Sequence, residues 1–581
     1  MATTEAPLPT TEEVLATTDA ALKNVTDVIS DGDAGRGFNV AGLIAIIVFY
    51  LAILGIGLWA AWRRRNSPGG ADEVMLAGRE IGSFVGIFTM TATWVGGGYI
   101  NGSAEAVFAS GLVWCQAPFG YAISLSLGGL FFARKMREAR YITMLDPLQN
   151  CFGQRWGAML YLPALAGETL WSASILGALG STLAVILDMP NTLSIIVSAA
   201  IAVVYTLFGG LYSVAYTDVV QLFCIFIGLW ITVPFAMQHQ AVGSLNPNVT
   251  DWVGSIPEET PWVWGEWTDF AVLLIFGGIP WQVYFQRVLS ARTSRQAQVL
   301  SFAGSLGCIL MAVPACIVGA IAKATNWEET TYTKDITAPE QKKLILPLVM
   351  QYLTPGWVAF LGLGAVSAAV MSSADSSVLS ASSMFANNIY KNVFRQRASD
   401  REILWVMRLG VLVVACVATL ISIKGNSIYE LFYLCGDLVY VMLFPQLTLA
   451  VHAPDKVNVY GSITAYVLGF ILRILGGEKV LGLPPVIQYP YFRDGVQYFP
   501  FRTLAMLVTL VTLLLVSWIV KTLHRRGLFP DVLMAFDDET TAITPIEVKK
   551  ENGGHDNPAL DVAGNGAAPR PTLERHEMTE F

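Results

Sequence analysis

Thr91-Ala-Thr-Trp-Val-Gly-Gly-Gly-Tyr-Ile-Asn-Gly102 sits inside an apolar segment running from about Ile81 to Phe108. Three consecutive glycines weaken a helix of membrane length, since each costs about 1 kcal/mol relative to Ala. The backbone groups they open find no partner in lipid. In secondary transporters such a break is held by a coupling ion and a substrate near the bilayer midplane. Trp94 and Tyr99 flank the break and place aromatic faces beside the opened backbone. Gly96, Gly97 and Gly98 therefore predict a discontinuous helix in an ion-coupled transporter of a cationic solute.

The composition bounds the class in the same direction. Of 581 residues, 54% are apolar and 14% charged, which describes a polytopic membrane protein embedded in lipid rather than a soluble enzyme. Thirteen runs are long enough to span: 40–62, 82–107, 112–133, 156–187, 192–208, 213–237, 268–289, 298–322, 346–388, 403–422, 428–452, 458–476 and 501–521. Basic groups at Arg63–Arg65, Arg134/Lys135/Arg137/Arg140, Arg287/Arg292/Arg295, Lys391/Arg395/Arg397/Arg401 and Lys521/Arg525/Arg526 fall on one side of the alternating count. The positive-inside rule makes that side cytoplasmic, with the N-terminus outside and the C-terminus inside. The loop from His239 to Asp269 agrees, carrying Asp251, Glu258, Glu259, Glu266 and Asp269 with no Lys or Arg. The expected domains are an extracellular N-terminal tail (1–39), a transmembrane domain (40–523) and a disordered cytoplasmic C-terminal tail (524–581), the last rich in Asp, Glu, Gly, Pro and Asn. No removable signal peptide is expected, and Asn24 and Asn248 open glycosylation sequons.

Several chemistries have no foothold. The seven cysteines lie mostly in apolar runs without CxxC spacing and read as small core residues, and the five histidines fall at span ends or in tails. There is no P-loop, GxSxG or HExxH, so ATP-driven transport, hydrolysis and enzymatic function in general are not expected. Nor is a nucleic-acid partner.

Span seven carries Ile275-Phe-Gly-Gly-Ile-Pro-Trp-Gln282. Pro280 removes a backbone donor and the glycines loosen the turn, so a second mid-membrane break is expected. Two interrupted spans five apart are what an inverted five-plus-five repeat produces; two ordinary kinks are the alternative reading. Span nine contains Ser372, Ser373, Asp375, Ser376 and Ser377, oxygen donors suited to a hard cation. The later Ser380, Ser382 and Ser383 read as serines bonding back to their own helix. A carboxylate within a span marks a functional site by default, which singles out Asp375; Asp218, at the start of span six, also admits a solvated reading at the membrane boundary. Trp252, Trp262, Trp264, Trp267 and Trp327 read as interfacial tryptophans in extracellular loops. Trp94, Tyr121, Trp171 and Trp281 lie well inside their spans, and converging rings form a cage for quaternary ammonium.

The segment Phe88–Gly102, the run Gly209-Gly-Leu-Tyr-Ser-Val-Ala-Tyr-Thr-Asp-Val-Val-Gln221, Gly277-Gly-Ile-Pro-Trp-Gln282 and Ala365–Ser377 resemble the choline-carrying branch of the sodium/solute symporter family, over about Gly42 to Leu523. The resemblance implies an all-α membrane protein with a LeuT-type core of ten helices in spans two to eleven. It implies sodium- and chloride-dependent choline uptake by alternating access, supplying acetylcholine synthesis in cholinergic neurons and blocked by hemicholinium. The implied location is the plasma membrane of presynaptic terminals and the synaptic vesicle membrane. Carried over by residue, the sodium site falls on backbone carbonyls of Ala92, Val95 and Ala369 and the hydroxyls of Ser372 and Ser373, with Asp218 near a further sodium site. The choline cage falls on Trp94, Tyr121, Trp171 and Trp281. Gly96–Gly98, Tyr99, Gln282 and Asp375 are further functional candidates. The coupling ions implied are Na⁺ and Cl⁻, with no organic cofactor; the resemblance leaves room for a homo-oligomer and for trafficking adaptors on the C-terminal tail. Where sugar-carrying relatives place a polar residue, this chain has Trp94, which argues against sugar.

Overall fold

A computed structural model describes residues 40–63, 75–208, 211–256, 259–425, 427–480 and 482–533. All lie in one compact unit, Met1–Ala535, and the second unit, Phe536–Phe581, lies outside the described residues. So do the N-terminal tail with Asn24, Arg64 and Arg65, Glu258 and the Gly209-Gly210 pair.

Apolar runs of this length satisfy their backbone groups internally only as helices, and helices form the chain throughout. The principal ones are, in order, α1 (Val40–Arg63), α2 (Ser83–Trp94), α3 (Gly97–Ser110), α4 (Ala117–Leu127), α5 (Tyr161–Leu187), α6 (Asn191–Phe208), α7 (Leu211–Met237), α8 (Val263–Gly277), α9 (Gln282–Ser290), α10 (Ser294–Ala324), α11 (Gly356–Met384), α12 (Asp400–Lys424), α13 (Ile428–Leu438), α14 (Val459–Leu475) and α15 (Phe501–Arg525), with further short helical segments between them. Among the described residues, eight helical stretches are long and apolar enough to cross a membrane. Side-chain caps start several of them: Ser399 accepts from Glu402 N, Ser427 from Glu430 N and Asn458 from Gly461 N. Among the described residues one strand pair departs from all-α, Phe492–Arg493 against Val496–Gln497, beside a few isolated bridges. Its Asp494-Gly495 turn takes positive φ at both residues, as a tight hairpin requires.

Two boundaries differ from expectation. The run 346–388 is two helices, Ile345–Tyr352 and α11, because Pro355 disfavours helical geometry at Thr354. Span seven begins at Val263, so Trp264 and Trp267 belong to a helix rather than a loop, and the Trp267 indole N–H donates to Val113 O at 2.9 Å. Trp327, expected in a wet loop, is 8% exposed and donates to Ala322 O.

Basic segments meet at one end of the bundle: Arg137 donates to Ala291 O at 2.6 Å and to Arg292 O at 3.2 Å, and Arg79 to Arg140 O. The acidic 238–262 loop marks the other end, where Val113 N donates to Val253 O and Asn326 N to Ala241 O. Arg287 does not belong with the basic end. It is 1% exposed, because α9 turns it inward toward α7 and α11.

Candidate functional site

Both expected breaks are present. The first helix stops at Trp94, passes through Val95 (φ −86°, ψ 58°) and Gly96 (φ −89°, ψ −178°), and resumes at Gly97. The second stops at Gly277 and resumes at Gln282 after Pro280 and an extended Trp281. A helix end leaves its last carbonyls without amides from the next turn. Here Thr91 O takes the Val95 N–H at 2.9 Å, and Thr93 O takes the Ser373 hydroxyl at 3.3 Å. The carbonyls of Ala92 and Val95 lie in the same opened stretch, and Ala92, Val95 and Ala369 are all fully buried.

Close packing explains the glycines. A Cβ on Gly96 would lie 1.8 Å from Ser373 Oγ, and one on Gly97 would lie 2.1 Å from Val370 Cγ2. Gly98 faces Ser174 Oγ in the same way, at 2.5 Å. The opened backbone is thus wedged between α11 and α5, and only glycine fits.

The four singled-out aromatics converge. Trp94 lies against Tyr121 (ring centroids 4.8 Å apart) and Trp171 (6.3 Å), and Trp171 meets Trp281 edge-on at 5.4 Å. All four are at most 4% exposed. Trp94 is the last residue of α2 and Trp281 caps α9, so the two breaks deliver their indoles to one place. Phe432 of α13 completes the group, 5.2 Å from Tyr121 and 6.3 Å from Tyr99. The indole N–H groups of Trp94 and Trp281 are buried with no hydrogen-bond partner, an expensive condition unless an acceptor arrives. Tyr99 is anchored behind the cage, its hydroxyl on Cys308 O at 3.0 Å.

Beside the first break lies a buried oxygen cluster. Asp218 accepts from the hydroxyls of Thr89 and Ser372 and stands 3.7 Å from the Arg287 guanidinium. It is fully buried, which resolves its two readings in favour of an interior charge. Arg287 also donates to Ser376 at 2.5 Å. Ser373 faces the break while Ser372 turns to Asp218, so the expected pair of hydroxyl ligands divides between two neighbouring groups. Asp375 points elsewhere, accepting from Thr206 at 2.6 Å, and its Oδ2 is buried with no partner. Ser382 and Ser383 bond back to their own helix as expected, but Ser380 donates to Glu168 Oε1 at 2.7 Å.

The two ends of the site differ. Toward the basic end, Gln282 Oε1 accepts from Met144 N at 2.8 Å. There Asn388 also donates to Asp146 Oδ1 and Gln149 Oε1 while Thr143 bonds Asn388 Oδ1. Toward the acidic-loop end opens a cavity of about 510 Å³ lined by Glu105, Trp114, Phe270, Tyr433, Asp437 and Arg502 among others. Asp269, counted among the loop carboxylates, is 1% exposed and accepts from Thr503 N at 2.8 Å. Adjacent residues of α13, Phe432 and Tyr433, serve the cage and the cavity respectively.

Sequence reasoning missed Thr89, Glu168, Arg287 and Phe432. Glu168 satisfied the rule that singled out Asp375, a carboxylate inside a span. Arg287 was masked by its nearness to Arg292. Phe432 carried no signal, being one apolar residue among many.

Residues 74–469 match the sodium:solute symporter family. The chain is 58% identical over 495 residues, 85% of its length and 80% of the relative's, to high-affinity choline transporter 1 of Drosophila melanogaster. It is 52% identical over 547 residues, 90% and 93% of the two lengths, to the human protein of that name. A solved structure of a Na⁺-coupled sialic acid symporter, in its substrate-bound outward-open state, shares the fold: TM-score 0.67 at 15% identity, covering 82% of this chain and 97% of that one. With the two broken helices, the match over most of its length and relatives of this identity, the chain is a helical membrane transporter, not an enzyme, and belongs to the sodium:solute symporter family.

Proposed function

We propose that this protein carries choline into cells by sodium-coupled symport. The observation that carries the reading is the meeting of Trp94, Tyr121, Trp171 and Trp281 at the two helix breaks. A quaternary ammonium has no N–H to donate, so ring faces rather than a contacting carboxylate suit it, each contributing roughly 0.5–2 kcal/mol when desolvated. The hydroxyl of choline matches the unpartnered indole N–H groups. The names of the relatives from Drosophila melanogaster and Homo sapiens support the same solute.

Sodium binds at the first break through the carbonyls of Ala92, Val95 and Ala369 and the hydroxyls of Ser372 and Ser373, with Asp218 supplying charge. Its arrival fixes the half-helices, and the bundle then alternates access. The cavity above the cage and the hydrogen bonds of Gln282, Asn388 and Asp146 below it support an arrangement that exchanges solute with the acidic-loop side. In this reading thirteen spans enclose a LeuT-type five-plus-five core, the basic end is cytoplasmic, and the N-terminus is extracellular. Chloride dependence, block by hemicholinium, a presynaptic and vesicular location, glycosylation at Asn24 and at the exposed Asn248, oligomerisation and tail adaptors belong to the same proposal.

The test is uptake of tritiated choline with external sodium or with lithium, for the unaltered chain and for Trp94→Ala and Trp281→Ala. Saturable, sodium-dependent uptake that each substitution weakens is the expected result. Uptake unchanged in both variants, from protein shown to be at the surface, would sink the cage.

A further inference from the structure

We infer that Glu168 sets the charge preference of the cage, its buried carboxylate acting through space as the fixed counter-charge of the quaternary ammonium. The inference rests on the cage reading above.

Four neutral rings line the cage, and Glu168 shares α5 with one of them, Trp171. Glu168 precedes Trp171 by three residues on α5, about 4.5 Å along the axis and on the same side of the helix. Its neighbour Gly167 backs the second tryptophan, since a Cβ there would lie 3.4 Å from the Trp281 ring. The carboxylate is 2% exposed and held between α5 and α11: Oε1 accepts from Ser380 at 2.7 Å and Oε2 from Ser377 at 3.1 Å. Ser172 Oγ completes the cluster 2.7 Å from Ser377 Oγ. Hydroxyls satisfy the oxygens but bring no positive charge.

Among the described residues Glu168 forms no ion pair. Arg287, the buried guanidinium of this region, contacts Asp218, Ser376 at 2.5 Å and Gln286 at 3.0 Å and reaches Glu168 only through space. A carboxylate kept out of water without a counter-ion in contact is costly, and a cation entering the cage offsets part of that cost. The methyl groups of choline need no contact with the oxygens for this. One unit charge about 10 Å from another, at an effective dielectric of about 20, corresponds to on the order of tenfold in affinity.

The discriminating probe pair is choline and 3,3-dimethylbutan-1-ol, which has the same shape and hydroxyl but no charge. Affinities for both are read on the purified full-length chain in sodium, from ligand-dependent thermal stabilisation, so transport is not required. Glu168→Gln keeps the shape and removes the charge. Its preference for choline over the neutral isostere is expected to fall about tenfold, while Glu168→Asp keeps the preference. Ser380→Lys leaves Glu168 in place but sets a cation against its carboxylate, and is expected to lower the preference too, which covers the case of Glu168→Gln failing to fold. An unchanged preference in whichever charge-cancelling variant folds overturns the inference and leaves Glu168 a structural residue. A shift in sodium dependence with the preference intact overturns it in favour of a cation ligand. Failure of the cage reading looks different: Trp94→Ala then leaves choline affinity where it was.

Discussion

Gly97→Ala tests how tightly the opened helix is wedged. The new Cβ would sit 2.1 Å from Val370 Cγ2 and 3.1 Å from both Val370 Cβ and Ala178 Cβ, all on buried residues. Ordinary carbon contacts are about 3.5–4.0 Å, so the first contact overlaps by well over 1 Å and the other two are tight. Overpacking of this kind costs about 1–3 kcal/mol, and β-branched Val370 in a helix has little rotamer freedom to escape. Val370→Ala alone removes two methyl-sized groups and costs roughly 2 kcal/mol by transfer and cavity terms together. In the double variant the new methyl fills the space left by Cγ2, so the two costs do not add. A coupling of at least about 1 kcal/mol in the favourable direction is expected. The assay is thermal denaturation of detergent-solubilised protein, followed by size-exclusion fluorescence, for the four members of the cycle. Strict additivity, or a Gly97→Ala variant as stable as the parent, would refute the wedge.

Four other outcomes follow from the geometry. Arg287→Met leaves Asp218 buried without its guanidinium and should lower folded yield, a loss of about 3–5 kcal/mol; pairing it with Asp218→Asn should recover yield by size-exclusion profile, though not sodium dependence. Asp218→Asn alone should raise the sodium concentration needed for half-maximal uptake. Phe432→Ala removes an edge contact on Tyr121 and should raise the KM for choline by roughly two- to tenfold, in keeping with about 0.5–1.5 kcal/mol for an aromatic pair. Asn388→Ala cuts the ties from the segment that continues α11, Phe385–Phe394, to Asp146 and Gln149, and cysteine labelling from the basic end should then reach Gln282→Cys faster than in the parent.

Features that depend on local chain stiffness were legible in the sequence. Gly96–Gly98 and Gly277-Gly-Ile-Pro280 break their helices wherever the rest of the chain lies, since propensity and the missing proline donor act within a few residues. Four aromatics at mid-span depths were legible too. Their convergence was not, because it depends on how α2, α4, α5 and α9 cross in space.

Charge was the hardest quantity to read. Arg287 and Arg292 are five residues apart and look alike in sequence, yet one is buried against Asp218 and the other donates to Glu80 O at the exposed basic end. Asp375 and Glu168 obey one rule, an ionisable group where lipid forbids it, but only packing shows that Asp375 on α11 turns to Thr206 of α6 while Glu168 on α5 turns to Ser377 and Ser380 of α11. The chain by itself determined that its backbone opens twice within the membrane, and that aromatic and hydroxyl side chains stand at those depths. Tertiary packing alone decided which of them meet, because each partner comes from another helix, 280 residues away in the case of Ser373 and Thr93, and burial then assigns each charge its counter-charge.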